Sequence, residues 1–194
     1  YWQAWVFLAV FAVCVIFITA YLAVKDRALL ERRLEVGPVA ETQRVQQVLQ
    51  GFASVFFLGV FIVAGLDRRL GWSQMPPAVS LLSDVLVAAG LFIVFLVFRE
   101  NTYTSAVIEL AERQRVVSSG PYGVVRHPMY SGAGLMLLFA PPALGSWVAL
   151  PFVLPLLGVI VARLLAEERF LAKDLEGYDD YRRRVRYRLV PRVW

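Results

Sequence analysis

The run Trp2–Val24 constrains the fold more than any other feature, because it holds 23 consecutive residues without a charged side chain. A helix needs about 20 mostly apolar residues to cross the hydrocarbon core of a bilayer. In lipid every main-chain N–H and C=O must find its partner inside the protein, which leaves helices and closed barrels as the spanning structures. The run is too long for the apolar core of a signal peptide. It has no basic segment before it and is followed at once by Lys25-Asp26-Arg27. It therefore reads as a retained transmembrane helix.

Further runs repeat the pattern. Phe52–Leu66 extends back to Val48 without meeting a full charge, and Val79–Phe98 carries only Asp84. Tyr130–Ala140 and Ala143–Leu165 flank Pro141-Pro142. Two adjacent prolines remove two amide donors, so a helix is expected to break there and form a hairpin. With 59% apolar residues and a mean hydropathy of +0.61, the expectation is an all-α, polytopic transmembrane bundle of about five spans. The fourth span would be short or tilted, and a cytoplasmic amphipathic segment would close the C-terminus. One domain covers residues 1–194, with three spans in 1–98 and a second half in 99–194.

The charges give a sidedness. Of 20 basic residues, 18 fall in the first loop, the third loop and the C-terminal tail; only Arg68 and Arg69 fall between the second and third spans. The positive-inside rule then puts those 18 in the cytoplasm and the N-terminus outside. The expected location is a bacterial inner (plasma) membrane. The net charge of +5 does not argue for nucleic acid, since the basic residues sit beside apolar runs and suit anionic headgroups. Cys14 is the single cysteine and His127 the single histidine, so neither a disulfide nor a metal site is expected. Glu31–Gln50 is polar, is interrupted by Gly37-Pro38, and reads as a surface helix or loop.

Two places depart from ordinary membrane scaffolding. The first is Gly120-Pro121-Tyr122 followed by Arg126-His127-Pro128-Met129-Tyr130-Ser131-Gly132-Ala133-Gly134. Pro128 suits the first turn of a helix. The start of that helix directs unpaired N–H groups and a positive dipole end at an anion. Arg126 and His127 equally suit interfacial anchors. Gly132 and Gly134 let a helix or a ligand approach the backbone closely. The second place is Glu167-Glu168. Leu164, Leu171, Leu175 and Tyr178 form one stripe on a helix, and both glutamates interrupt it. Ionisable groups facing a bundle are costly and are paired or functional, and Arg163 lies four residues before Glu167 for an ion pair. The tail Tyr178–Arg188 is basic and suits headgroups, and one or two of its arginines could hold a carboxylate. Glu100–Ser105 leads into this region and suits either substrate selection or helix capping.

Gly120-Pro121-Tyr122, Arg126-His127-Pro128-Met129-Tyr130 with Gly132, Glu167-Glu168, then Tyr178 and Tyr181 before Arg186-Tyr187-Arg188-Leu189-Val190-Pro191, resemble the isoprenylcysteine carboxyl methyltransferase and phospholipid methyltransferase superfamily over about residues 99–194. The resemblance implies S-adenosylmethionine held at the cytoplasmic ends of the last helices, with a lipophilic acceptor arriving from the bilayer. It nominates Tyr122, His127, Pro128, Tyr130, Gly132, Gly134, Glu167 and Glu168 as cofactor-binding residues. Arg126 and Glu168 are the nominated catalytic residues, Glu168 as a base for an amine acceptor. An isoprenylcysteine-type carboxylate acceptor needs no base. Membrane sterol reductases share a related architecture and use a nicotinamide cofactor, but the short chain and the Glu-Glu pair favour methyl transfer. A non-catalytic membrane protein of the same fold is the third reading.

Overall fold

The computed structural model describes residues 1–34, 44–104 and 115–194. Among them the elements are α1 (Trp2–Lys25), α2 (Arg27–Leu34), α3 (Arg44–Leu70), α4 (Pro77–Glu100), α5 (Pro128–Ala143), α6 (Val153–Asp174) and α7 (Tyr178–Arg184). Short 3-10 turns, Gly120–Gly123 and Leu150–Phe152, precede α5 and α6. The molecule is a polytopic helical membrane protein. Four helical segments have the length and apolarity to cross a bilayer: Trp2–Lys25, Arg44–Leu70, Pro77–Glu100 and Leu150–Asp174.

The count differs from about five at the fourth expected span. Helix α5 has 16 residues and rises about 24 Å, short of a hydrocarbon core of about 30 Å. Nor does it break at Pro141-Pro142, which lie in its last turn. A proline removes only its own donor. The chain closes behind the pair, with Leu144 N–H donating to Ala140 O (2.9 Å) and Ser146 N–H to Pro141 O (3.0 Å). The turn of the hairpin therefore falls after Ala143. Gly37-Pro38 lies outside the described residues.

Large apolar side chains face outward on every span, among them Trp5, Ile16, Val55, Ile62, Val85 and Leu154. Helices apolar on all sides need lipid as solvent. Inside, Phe7, Val60, Val87, Leu91, Val153 and Leu156 share one core, and Ile18, Leu22, Leu29 and Phe95 form a second at the other end of α1. Helix α4 packs most closely on α5, α1 on α4, and α3 on α6. The α4–α5 crossing depends on two glycines. A Cβ on Gly132 would lie 2.6 Å from Gly90 O, and one on Gly90 would lie 2.6 Å from Gly132 O.

Both ends of the bundle are tied by polar groups. Asp67, buried at the end of α3, accepts from Ser73 N (2.7 Å), Ser73 Oγ (2.6 Å) and Ser146 Oγ. This fixes the loops after α3 and α5. At the opposite end Asp26 stops α1 and caps α2, its Oδ1 accepting from Leu29 N–H at 2.9 Å. Arg32 of α2 donates to Thr102 O and Arg33 to Met129 Sδ, so α2 is held against the end of α4 and the start of α5.

Candidate active site

The start of α5 is built by its sequence and closed by the tail. His127 is the N-cap, with non-helical φ/ψ of −125° and 62°, and Pro128 occupies the first helical position. A proline there loses no intrahelical bond. Arg126 N–H donates to Tyr187 O (2.9 Å) and His127 N–H to Arg188 O (3.0 Å). Ser131 Oγ donates to Leu189 O (2.7 Å), and Tyr181 Oη to Tyr122 O (2.9 Å). To reach this position the chain reverses between α6 and α7 at Gly177, whose φ of +80° suits glycine.

Glu168 stands at the centre of this junction. Its side chain is 5% exposed. Oε1 lies 2.9 Å from Arg126 Nε and 3.2 Å from His127 Nε2, and Oε2 accepts from Arg188 Nε at 2.9 Å. The Arg126 contact is an ion pair whose N–H is not aligned as a hydrogen bond. One carboxylate thus joins α6, the start of α5 and the tail. A buried carboxylate costs several kcal/mol to desolvate, and this one is offset only by such cationic neighbours. The Arg188 guanidinium also lies over the Trp194 ring, 5.2 Å from its centroid.

Beside the junction is a cavity of about 770 Å³, within the range of ligand sites. Its walls change character along the bundle. Phe57, Leu58, Leu137, Leu156, Val159 and Ile160 give it an apolar stretch of wall. Arg33, Tyr130, Arg163 and Glu167 also line it and are mutual electrostatic neighbours. Tyr122, Arg126, His127, Leu171, Tyr178 and Tyr181 line the end nearest the tail. There the Tyr178 hydroxyl is buried with no hydrogen-bond partner among the described residues. Burial pushes the Tyr122 phenol up to about 12, opposed by the N–H of Asn101 Nδ2 donated to it at 3.0 Å.

Of the residues singled out in the sequence, Tyr122, Arg126, His127, Pro128, Tyr130 and Glu167 meet on this one cavity. Glu168 lies behind its wall. Gly132 is at the α4–α5 crossing, and Gly134 faces Leu157, whose Cδ2 would be 3.7 Å from an added Cβ. The two glutamates therefore part company, as neighbours on a helix must when one faces inward. Asn101 caps α4, and its Oδ1 accepts from Tyr103 N–H at 3.0 Å. Glu100 accepts from Ser119 Oγ, and Ser105 lies outside the described residues. Among the described residues no cluster of three metal-ligating side chains occurs.

Three cavity residues escaped the sequence reading. Arg33 looked like one more basic loop residue. Arg163 was legible only as a partner for Glu167, and Tyr178 only as part of an apolar stripe, the basic tail and the family resemblance, with no ligand role. The signal for Arg33 was the Asp26 cap that starts α2, since a second helix so close to α1 must fold back across the bundle.

A family model described as phospholipid methyltransferase matches residues 79–176. No curated protein matches the chain. The matched segment runs from the first turns of α4 to the end of α6, and so includes the α4–α5 crossing, the His127 cap and Glu167-Glu168.

Proposed function

Because the chain belongs to the phospholipid methyltransferase family, a family of membrane methyltransferases, we propose that it moves a methyl group from S-adenosylmethionine to a lipid acceptor at the cytoplasmic end of the bundle. The observation that carries this reading is the cavity, apolar among the spans and polar at the α5 start. A water-soluble cofactor and a lipid can meet there without either leaving its own phase.

The donor set suits the cofactor. First-turn N–H groups of α5 and the Arg126 guanidinium suit its carboxylate. The partnerless Tyr178 hydroxyl and the Glu167 carboxylate suit its amine or ribose hydroxyls. The faces of Tyr122, Tyr178 and Tyr181 suit a cationic sulfonium. When bound, S-adenosylmethionine supplies an activated methyl group that needs no protein nucleophile. The residues of the chain are left to orient the acceptor and exclude water. A carboxylate acceptor of the isoprenylcysteine kind would need no base. An amine acceptor would shed a proton, and Glu167 is the carboxylate placed to take it. Glu168, whose oxygens face Arg126, His127 and Arg188, is a positioning residue that sets Arg126 and His127. Gly132 and Gly134 support the helix that carries this site.

Calorimetry of S-adenosylhomocysteine with the purified full chain tests the reading, and binding in the micromolar range is expected. Labelled S-adenosylmethionine incubated with a lipid extract should then place label in a lipid fraction. Binding of NADPH in place of the nucleoside would transfer the site to the reductase reading.

A further inference from the structure

Asp84 is the one charged residue in the apolar run of α4, and methyl transfer at the other end of the bundle gives it no part. It is 4% exposed, and neither of its carboxylate oxygens has a hydrogen-bond partner among the described residues. One turn earlier on the same face, Ser80 is fully buried and its Oγ is also without a partner. The carbonyl one turn back, Pro76 O, already accepts from Val79 N–H and Ser80 N–H. On α1, Gln3 is buried and its Oε1 is unpartnered in the same way. Gly145, at φ +80°, makes room for this amide, since an added Cβ would lie 3.3 Å from Gln3 Cδ and Nε2. The three side chains share one level. Helices α1 and α4 pack side by side and start at the same end, where Tyr1 Oη donates to Leu144 O (2.7 Å) and Ser73 and Ser146 both bind Asp67. Further along, Phe17 and Tyr21 both pack on Phe95. At about 1.5 Å per residue, Gln3 lies about 21–27 Å back from that contact, Ser80 about 22 Å and Asp84 about 16 Å. Gln3 therefore stands beside Ser80, one turn from Asp84.

The contrast with Asp67 is informative. That carboxylate, buried at the same end, accepts from three donors, whereas Asp84 accepts from none among the described residues. The basic residues that close α3 at this end, Arg68 and Arg69, are exposed. Both undescribed segments, 35–43 and 105–114, begin and end at the opposite end of the bundle. Asp84 lies 16 residues, about 24 Å of helix, before Glu100, and a ten-residue loop anchored at both ends reaches at most about 17 Å. What remains is a set of four buried oxygens with one negative charge. An ionisable group inside a span is normally paired, and a buried carboxylate without a counter-charge is costly. Oxygen donors suit hard cations, whereas zinc, iron and copper favour imidazole and thiolate. A single positive charge neutralises the one carboxylate, while a divalent ion would leave a surplus charge buried. We infer that Asp84, Ser80 and Gln3 bind one monovalent metal cation, sodium or potassium, which pins α1 to α4.

Thermal unfolding of the full chain in detergent tests this, in the chlorides of sodium, potassium and N-methylglucamine at one ionic strength. A ligand of the folded state raises the melting point with the logarithm of its concentration, so at least one alkali cation should raise Tm by about 5 °C over N-methylglucamine. The stronger of the two names the ion. Asp84→Asn keeps the shape of the side chain and removes its charge, and should make Tm the same in all three salts. Ser80→Ala and Gln3→Leu each remove one neutral oxygen and should raise the half-saturating cation concentration about tenfold. Equal melting of the unmodified chain in the three salts would overturn the inference and mark Asp84 as a buried carboxylic acid. An alkali-cation effect that survives Asp84→Asn would overturn it too, by placing the ion elsewhere. If Asp84→Asn does not fold, Ser80→Ala and Gln3→Leu carry the comparison, and unchanged half-saturation in both would overturn the site. None of these readouts involves the nucleoside, so the ion site and the methyltransferase reading stand or fall separately.

Discussion

At the scale of single residues, two adjacent glutamates have opposite employments. Glu168→Ala leaves the Arg126 guanidinium buried without its counter-charge and His127 without its carboxylate neighbour. Removing one partner of a buried pair costs about 3 kcal/mol or more, so thermal unfolding in detergent should show a large drop in Tm. Glu167→Ala removes a cavity carboxylate and should leave the Tm near that of the parent while nucleoside affinity falls. Equal effects of the two changes on both readouts would contradict this division of labour. Tyr178→Phe deletes only the partnerless hydroxyl, and a lost ligand hydrogen bond of about 1 kcal/mol weakens S-adenosylhomocysteine about fivefold. The Tyr122 phenol, raised by burial to about 12 from 10, supports the fold as a neutral group. Its contribution is complete below pH 10 and is lost as the pH rises towards 12. Tyrosinate absorbance from this residue should therefore be missing at pH 11 and appear in a Tyr122→Phe difference titration only above that.

At the scale of elements, the α4–α5 crossing and the clamp of the tail on α5 set the site. Gly132→Ala forces a methyl group into Gly90 O, backbone against backbone, with no flexible side chain to yield. Overpacking of this kind costs about 1–3 kcal/mol. Gly134→Ala meets only Leu157 at an ordinary distance and should melt like the parent. The sequence resolved such elements unevenly. The four long spans were legible because a predominantly apolar run of about 18 residues or more, with at most an isolated charge, has few other uses in a protein. Helix α5 was harder to read, since the proline pair that suggested a break is compatible with a helix's last turn when the following amides close behind it. The meeting of Arg126, His127 and Glu167 on one cavity was visible in outline, because helix starts and interrupted apolar stripes are local patterns. The separate role of Glu168 was not, since it depends on Arg188 arriving 20 residues later in the chain. Nor was Arg33, because nothing in a basic loop says which arginine turns inward.

At the scale of the whole molecule, the cavity spans two solvents. Its apolar wall lies among helices whose outer faces need lipid, and its polar end lies beside the basic tail. Under the proposed reading the arginine and lysine distribution faces that end to the cytoplasm, where a soluble methyl donor is available. A reporter fused after Trp194 should be active only in its cytoplasmic form, and a second reporter in the loop after Leu70 should be active only in its external form. The reverse pair of results would put the cavity mouth on the wrong side for the proposed chemistry.

The pairing of Arg126 and His127 with Tyr187 and Arg188 also imposes an order on biogenesis. Ser131 and the Leu189 carbonyl it contacts are separated by 58 residues. All four spans leave the ribosome before that pairing can form. Glu168 is therefore synthesised before Arg188, and until the tail docks one of its three polar neighbours is missing. Insertion into the bilayer and completion of the site are then separate events in time. A chain stalled between Asp174 and Arg188 should sit in the membrane with its spans in place, and on the proposed reading should bind no S-adenosylhomocysteine until the Tyr187–Leu189 segment folds back.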